Sequence, residues 1–234
     1  MDALTLQRTQ VQVRVNSFVR SVYNWMAIGL GLTGLTAFYV AGSPEILRFI
    51  FGSGFVFFGL IIGQLALVFT ISSRIYRMQA STATALFLLY SILNGTTLSS
   101  IFLAYAQSTI TNAFFVCAGT FVACSIYGYT TKRDLTSLGG FFMMGLIGII
   151  IASLVNMFFQ SSAVSTIVSY IGVLVFVGLT AYDTQAIKNM ALTQPEDIDA
   201  GAVRKGAILG ALKLYLDFIN LFLMLLRIFG SNRD

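Results

Sequence analysis

Seven long apolar stretches, separated by short polar segments, dominate the hydropathy pattern of the chain. Each has about 17 residues or more, enough for an α-helix to cross the roughly 30 Å hydrocarbon core of a bilayer. None alternates between polar and apolar positions as transmembrane strands do, so a β-barrel is excluded. We therefore predict an all-α membrane protein, a bundle of seven transmembrane helices at residues 23–41, 55–72, 82–105, 111–129, 139–159, 163–187 and 207–229.

The composition agrees with this class. Of the 234 residues, 57% are hydrophobic and only 10% are charged, which is far from the usage of soluble domains. The polar start of the chain lacks the short apolar core and small-residue cleavage site of a signal peptide, so we expect no removable leader. The predicted organisation is a cytoplasmic N-terminal tail (1–22), a seven-helix transmembrane domain (23–230) and a C-terminal tail (231–234).

The basic residues predict the orientation, because cytoplasmic segments of membrane proteins are enriched in Lys and Arg. Ten of them fall on the side of the N-terminal tail, and three on the other: Arg8, Arg14, Arg20, Arg74, Arg77, Lys132, Arg133, Lys188, Arg204 and Lys205, against Arg48, Arg227 and Arg233. The N-terminus is therefore expected in the cytoplasm and the C-terminus outside, unless the last span re-enters. Because the charges are scattered through short loops, we expect no nucleic-acid partner.

Small residues recur within the spans at a spacing that permits close helix packing. Gly59 and Gly63 lie in the second stretch, and Gly206 and Gly210 open the seventh. Pairs of glycines four residues apart let helix backbones approach closely in membranes. The sequence therefore predicts a tightly packed bundle.

The last apolar stretch, LYLDFINLFLMLLRIFG at 214–230, carries a carboxylate near its middle. A charged residue there costs at least about 2.5 kcal/mol, so Asp217 requires a partner or a polar environment. Helical winding places the small and polar residues within about 100° of one another, which predicts a central helix whose polar stripe faces the bundle. The stripe comprises Gly206, Gly210, Lys213, Asp217, Asn220 and Arg227.

Lys213 lies four residues before Asp217, so one alternative is an ion pair within the helix. The other is that Lys213 extends its ammonium toward water and leaves Asp217 to a different partner.

The second carboxylate is Asp183, in the segment GLTAYDTQ at 178–185. It is predicted at the end of the sixth span, where the helix dipole disfavours an anion. One interpretation is a solvated loop carboxylate near Lys188. The other is a buried position facing Asp217, since polar and small residues share one side of this helix: Ser169, Gly172, Thr180 and Asp183.

A meeting of the two carboxylates would have a specific consequence. At about 4 Å and an effective dielectric of about 20, two like charges repel by about 4 kcal/mol, so one proton would be shared near neutral pH. Loss of that proton would loosen the contact, which makes the pair a pH-sensitive gate. The chain has no histidine, so the usual neutral-pH sensor is absent from the sequence.

Three segments carry a family resemblance: YGYTTKRDLTSLGG at 127–140, VGLTAYDTQ at 177–185 and the last apolar stretch. Together they resemble bacterial members of the Bax inhibitor family, the transmembrane Bax inhibitor motif proteins, and the likeness extends from Tyr23 onward. It implies a bacterial inner-membrane protein that leaks calcium in a pH-dependent manner, with Asp183 and Asp217 as the proton-sensing pair. In that family a basic residue at the end of the second helix takes up the second carboxylate in the closed form; here Arg77 or Arg74 stands in that region.

Alternative functions stay open at this point. Other family members regulate a partner such as a membrane protease, and a proton-coupled transporter is a third reading. No histidine, metal-ligand cluster or nucleophile motif indicates an enzyme, a cofactor or a bound metal. The expected partners are calcium ions, protons, the lipid bilayer and, in the regulatory reading, another membrane protein. Polar residues within the spans would line a cation path or join helices: Gln64, Tyr90, Asn94, Thr97 and Asn156.

Overall fold

The computed structural model describes residues 3–195 and 197–231, and the side chains of residues 9–195 and 197–230. Within this part the chain is helical and contains no strand. The helices are α1 (Ala3–Ala41), α2 (Pro44–Phe51), α3 (Gly54–Arg74), α4 (Ala80–Leu98), α5 (Ile101–Ala104), α6 (Gln107–Thr130), α7 (Thr136–Phe159), α8 (Ser162–Leu192) and α9 (Ala200–Ser231). A 3₁₀ turn at Ile75–Arg77 follows α3. Arg233 and residues 232–234 of the predicted C-terminal tail lie outside the described residues, as does the side chain of Arg8.

The predicted class and number of spans are confirmed. Seven helical segments of the described chain are long and apolar enough to cross a membrane, and each contains or overlaps one predicted stretch. Their bounds are Thr9–Ala41, Gly54–Arg77, Ala80–Ala104, Gln107–Thr130, Thr136–Phe159, Ser162–Leu192 and Ala200–Gly230. The protein is thus an all-α, multi-pass membrane protein.

The central place of the last helix is also confirmed. In its apolar stretch 78% of the residues are buried, against at most 39% in any other span. The polar stripe does not mark a separate inward face, however. Lys213 and Arg227 are exposed, whereas Leu212 and Leu226 on other sides are fully buried. A helix that is apolar on nearly all sides is buried on nearly all sides, and α9 follows that rule.

The first helix begins well before the predicted span. Residues 3–22, predicted as a tail, continue α1 without a break. Val15, Phe18 and Val22 are buried and follow one another at spacings of three and four residues, which is the period of one helix face. This apolar face, rather than overall hydrophobicity, explains why the polar start of the chain folds as a helix.

The chain divides into two compact units, which share α8 and α9. The first unit consists of the described residues of 1–104 and 190–215. Within it α1 packs closely against α4: a side chain at Gly95 would collide with the backbone carbonyl oxygen of Thr33. Only glycine therefore permits this approach of the two helices.

The second unit consists of the described residues of 105–189 and 216–234. Here α6 and α8 make a similar approach, because a side chain at Gly128 would collide with the carbonyl oxygen of Ala181. The predicted packing at Gly59 and Gly63 is not observed, since a methyl group at either position would meet no atom within 4 Å. Both lie on α3, the least buried span. Glycine spacing makes close packing sterically possible, but the position of neighbouring helices decides where it occurs.

Candidate functional site

Both predicted carboxylates are buried, and both belong to the second unit. Asp183 on α8 is 8% exposed and Asp217 on α9 is 5% exposed. The interpretation of Asp183 as a solvated loop residue is therefore wrong. Its predicted place at the end of a helix is also wrong, because α8 continues to Leu192, about two and a half turns further. At that distance the end of the helix dipole has little effect on the carboxylate.

Close packing fixes the turn of α8 that carries Asp183. The preceding residues Ala181 and Tyr182 lie against Gly128 of α6 and Gly139 of α7, where a methyl group on either glycine would overlap them. Thr180 and Thr184 are also almost completely buried. This part of α8 can neither shift nor rotate without displacing two neighbouring helices.

Polar contacts attach the same turn to the loop between α6 and α7. The side-chain amide of Gln185 donates to the carbonyl of Arg133 at 2.8 Å and accepts from the backbone N–H of Leu135 at 2.8 Å. One turn further on, the ammonium of Lys188 donates to the carbonyl of Tyr129 at 2.8 Å and lies 5.1 Å from the centre of that ring. The Gln185 contacts hold the loop 131–135 against α8, and the Lys188 contacts hold the end of α6 there.

The neighbour of Asp217 anchors α9 to α6. The ring of Phe218 packs edge-on against Phe114 and Phe121, at centroid distances of 5.9 and 5.4 Å. The thiol of Cys117, which is fully buried, donates to the carbonyl of Phe218 at 3.5 Å. Asp217 thus directly precedes a residue that packing and a hydrogen bond hold against α6.

In the first unit, α9 carries a buried hydroxyl two residues before Asp217. Tyr215 lies 2.6 Å from the Thr33 hydroxyl, and the Asn94 amide donates to it at 2.7 Å. The Thr33 hydroxyl also donates to the carbonyl of Ser91 at 2.9 Å. Edge-on contacts with Phe87 and Tyr90 complete the surroundings of the Tyr215 ring. This polar cluster joins α1, α4 and α9.

The other predicted residues occupy different environments. Asn94 is buried and bonded to Tyr215, so its amide joins two helices. Asn220 is half-buried and donates to the carbonyl of Leu216, one turn back on its own helix. Lys213 is exposed. Arg74 and Arg77, the latch candidates, are exposed in the first unit, and their role stays a prediction.

Sequence reasoning did not single out Tyr215 or give Gln185 a role. For Tyr215 a signal existed, because a tyrosine hydroxyl within a transmembrane span needs a partner. Gln185 was visible as part of the AYDTQ segment, but its partners are backbone atoms about 50 residues away, which residue types do not reveal.

Fold and site together define a multi-pass helical membrane protein with a buried carboxylate on each of its last two spans. A family model described as "Inhibitor of apoptosis-promoting Bax1" matches residues 15–234. The chain therefore belongs to the Bax inhibitor family, as its motifs indicated.

Close relatives span the whole chain. It is 52% identical to "Inner membrane protein YbhL" of Escherichia coli K12 over 235 residues, which cover all of both proteins. An "Uncharacterized protein" of Borreliella burgdorferi is 46% identical, also over all of both chains. An "Uncharacterized protein" of Deinococcus radiodurans is 44% identical over 99% of this chain and 96% of its own. The similarity to YbhL supports an inner-membrane location.

Proposed function

We propose that the protein is a pH-sensitive calcium leak channel, gated by a proton that Asp183 and Asp217 share. The observation that carries the proposal is the burial of both carboxyl groups within one unit of a membrane protein. A buried carboxylate costs several kcal/mol unless it is neutralised or paired, so two of them favour a bound proton.

The packing around the two residues supports a gate rather than a passive defect. Both belong to turns held by their neighbours, through the Gly128–Ala181 contact on α8 and the Phe218–Phe121 contact on α9. When the turn that carries a carboxylate is packed in this way, a change in the charge of the carboxylate is relieved by movement of the whole helix. Loss of the shared proton would leave two like charges and favour separation of α8 and α9.

Flux measurements on purified protein in liposomes test this function. We expect calcium entry that depends on pH between about 6 and 8, and a loss of this dependence in both Asp183→Asn and Asp217→Asn. Asp197→Asn is the matched control, because Asp197 is an exposed carboxylate between α8 and α9. Absence of calcium flux from the wild type across this range would contradict the channel. An unchanged pH response in both buried variants would contradict the sensor.

A regulatory protein that binds another membrane protein is the second candidate. The description of the matching family model names an inhibitor, which is an activity exerted on another protein. Liposomes separate the two functions, because a channel conducts when purified alone and a regulator does not. A proton-coupled transporter would differ from both by moving protons together with its substrate in fixed ratio.

We propose further that the N-terminus is cytoplasmic and the C-terminus external, and we assign no catalytic activity. The orientation rests on the excess of Lys and Arg on the side of the N-terminal segment. Single cysteines introduced at exposed Arg77 and Arg48, in a chain that lacks Cys117 and Cys124, would test it. A reagent that cannot cross the membrane should label position 48 and not position 77 in intact cells, and the reverse labelling would contradict the orientation.

A further inference from the structure

A polar cavity lies in the second unit near one end of α7, α8 and α9. Its volume is about 360 Å³, and its lining combines a guanidinium, two hydroxyls, an amide and two apolar side chains. The lining residues are Ser153, Asn156, Met157, Ser165, Val168 and Arg227. Neither Asp183 nor Asp217 lines this cavity.

The cavity presents hydrogen-bond donors to an incoming group. Among the described residues, the Arg227 guanidinium and the Ser153 and Ser165 hydroxyls form no hydrogen bond or ion pair. Asn156 is already engaged, since its amide donates to the carbonyl of Ser161 at 3.1 Å and accepts from the Ser161 N–H at 3.0 Å. No acidic residue belongs to the described lining. The free donors and the positive charge therefore favour an oxyanion, which accepts several hydrogen bonds at once.

The depth of the cavity matches that of lipid phosphates. Arg227 lies about 6 Å along α9 from Ser231, Ser165 about 5 Å from the start of α8, and Ser153 about 9 Å from the end of α7. The polar headgroup region of a bilayer occupies the outer 5 to 8 Å or so on each side of the hydrocarbon core. A donor cluster within two turns of three helix ends lies at this boundary.

The surface beside the cavity is apolar and exposed. Met157, Phe158 and Phe159 at the end of α7 are all more than half exposed, and so is Ile167 on α8. A free inorganic anion gains nothing from such a surface, whereas the acyl chains of a lipid would cover it. A basic residue near the C-terminal end of a helix is favourable without any ligand, but Arg227 lies before the last turn of α9, and that effect explains neither the hydroxyls nor the cavity.

We propose that this cavity binds the phosphate group of an anionic membrane phospholipid. Arg227 supplies a forked pair of donors to the phosphate oxygens, Ser153 and Ser165 donate from α7 and α8, and the acyl chains lie along the exposed residues of those helices. The lipid would thereby join the outer ends of three helices of the second unit.

Native mass spectrometry of delipidated protein with phosphatidylglycerol tests the proposal. We expect Arg227→Gln to weaken lipid binding by about tenfold or more, which is the effect of losing one charge-assisted contact. Arg48→Gln is the matched control, because Arg48 is an exposed arginine in the last turn of α2 and does not line the cavity. Equal lipid binding by the wild type and Arg227→Gln would overturn the proposal.

Two further experiments test the same cavity, one with a second variant and one with a soluble competitor. If Arg227→Gln does not fold, the Ser153→Ala/Ser165→Ala double variant should bind the lipid several-fold more weakly than the wild type, and unchanged binding would overturn the site. Inorganic phosphate is the soluble competitor. We expect it not to displace the lipid at equal concentration, and displacement would show a soluble-anion site and overturn the lipid assignment.

Discussion

The side-chain oxygen of Gln185 accepts a hydrogen bond from the backbone N–H of Leu135 at 2.8 Å, across 50 residues of sequence. The amide nitrogen of the same side chain donates to the carbonyl of Arg133. One buried amide therefore satisfies two backbone groups of the loop that joins α6 and α7. Because Gln185 follows Asp183 by two residues, the loop and the predicted sensor share a support.

We predict that Gln185→Ala releases this loop. The variant leaves the buried N–H of Leu135 without an acceptor, which costs about 1 to 3 kcal/mol. Hydrogen exchange is the suitable measurement, and amides of residues 133–135 should exchange faster while those of α4 are unchanged. Uniform acceleration throughout the protein would indicate global destabilisation instead of a local support.

The hydroxyl of Tyr215 should contribute measurably to stability. Tyr215→Phe removes bonds to Thr33 and Asn94 and leaves the Asn94 donor buried, for an expected loss of about 1 to 2 kcal/mol. Tyr90→Phe is the matched control, since Tyr90 is buried beside Tyr215 but its hydroxyl forms no hydrogen bond within the described chain. The free energy of unfolding in detergent should fall more in Tyr215→Phe than in Tyr90→Phe. An equal decrease in both variants would contradict a specific role of the Tyr215 hydroxyl.

The turn between α7 and α8 carries local strain at Gln160. Its φ of 49° is in the left-handed region, and among the described residues Gln160 is the only non-glycine residue with a positive φ. Gln160→Gly should stabilise the protein by about 0.5 kcal/mol or more, because glycine adopts this conformation without steric cost. Gln160→Ala should not stabilise it. The measurement is the free energy of unfolding of both variants in detergent. If Gln160→Ala also stabilised the protein, backbone strain at Gln160 would not be the cause of the gain.

The carboxylate of Asp134 stabilises the start of α7 in its ionised form. It accepts bonds from the Thr136 hydroxyl at 2.6 Å and the Thr136 N–H at 2.9 Å, which lower the pKa of Asp134 below its usual 3.8. A lowered pKa gives a stabilisation that is complete above the usual value and is lost as the pH falls through the lowered one. Asp134→Ala should therefore melt at a lower temperature than the wild type at pH 7. The difference in melting temperature should vanish at acid pH. A difference that stays constant with pH would show that packing, and not the charge of Asp134, causes the loss of stability.

The transmembrane helices were predictable because long apolar stretches have one stable form in a bilayer. Their ends were not, because polar helix ends carry no hydrophobic signal. The signal for the start of α1 is the spacing of Val15, Phe18 and Val22. The signal for α2 is Ser43-Pro44, since proline favours the first turn of a helix.

The site was predictable in part for a similar reason. Asp217 stands out within an apolar stretch, and Asp183 within the AYDTQ segment. The Gln185 contacts and the Arg227 cavity depend on which helices are neighbours, and hydropathy does not contain that information.

The proposed gate requires that Asp183 and Asp217 share one proton. Infrared spectroscopy of the carboxylic-acid C=O band as a function of pH tests this sharing, because a protonated carboxyl absorbs at a different frequency from a carboxylate. In the wild type we expect this band to change with pH between about 6 and 8, and in Asp183→Asn, which has no second carboxylate to share the proton, we expect that change to be lost. A band that titrates at the same pH in the wild type and in Asp183→Asn would contradict the shared proton.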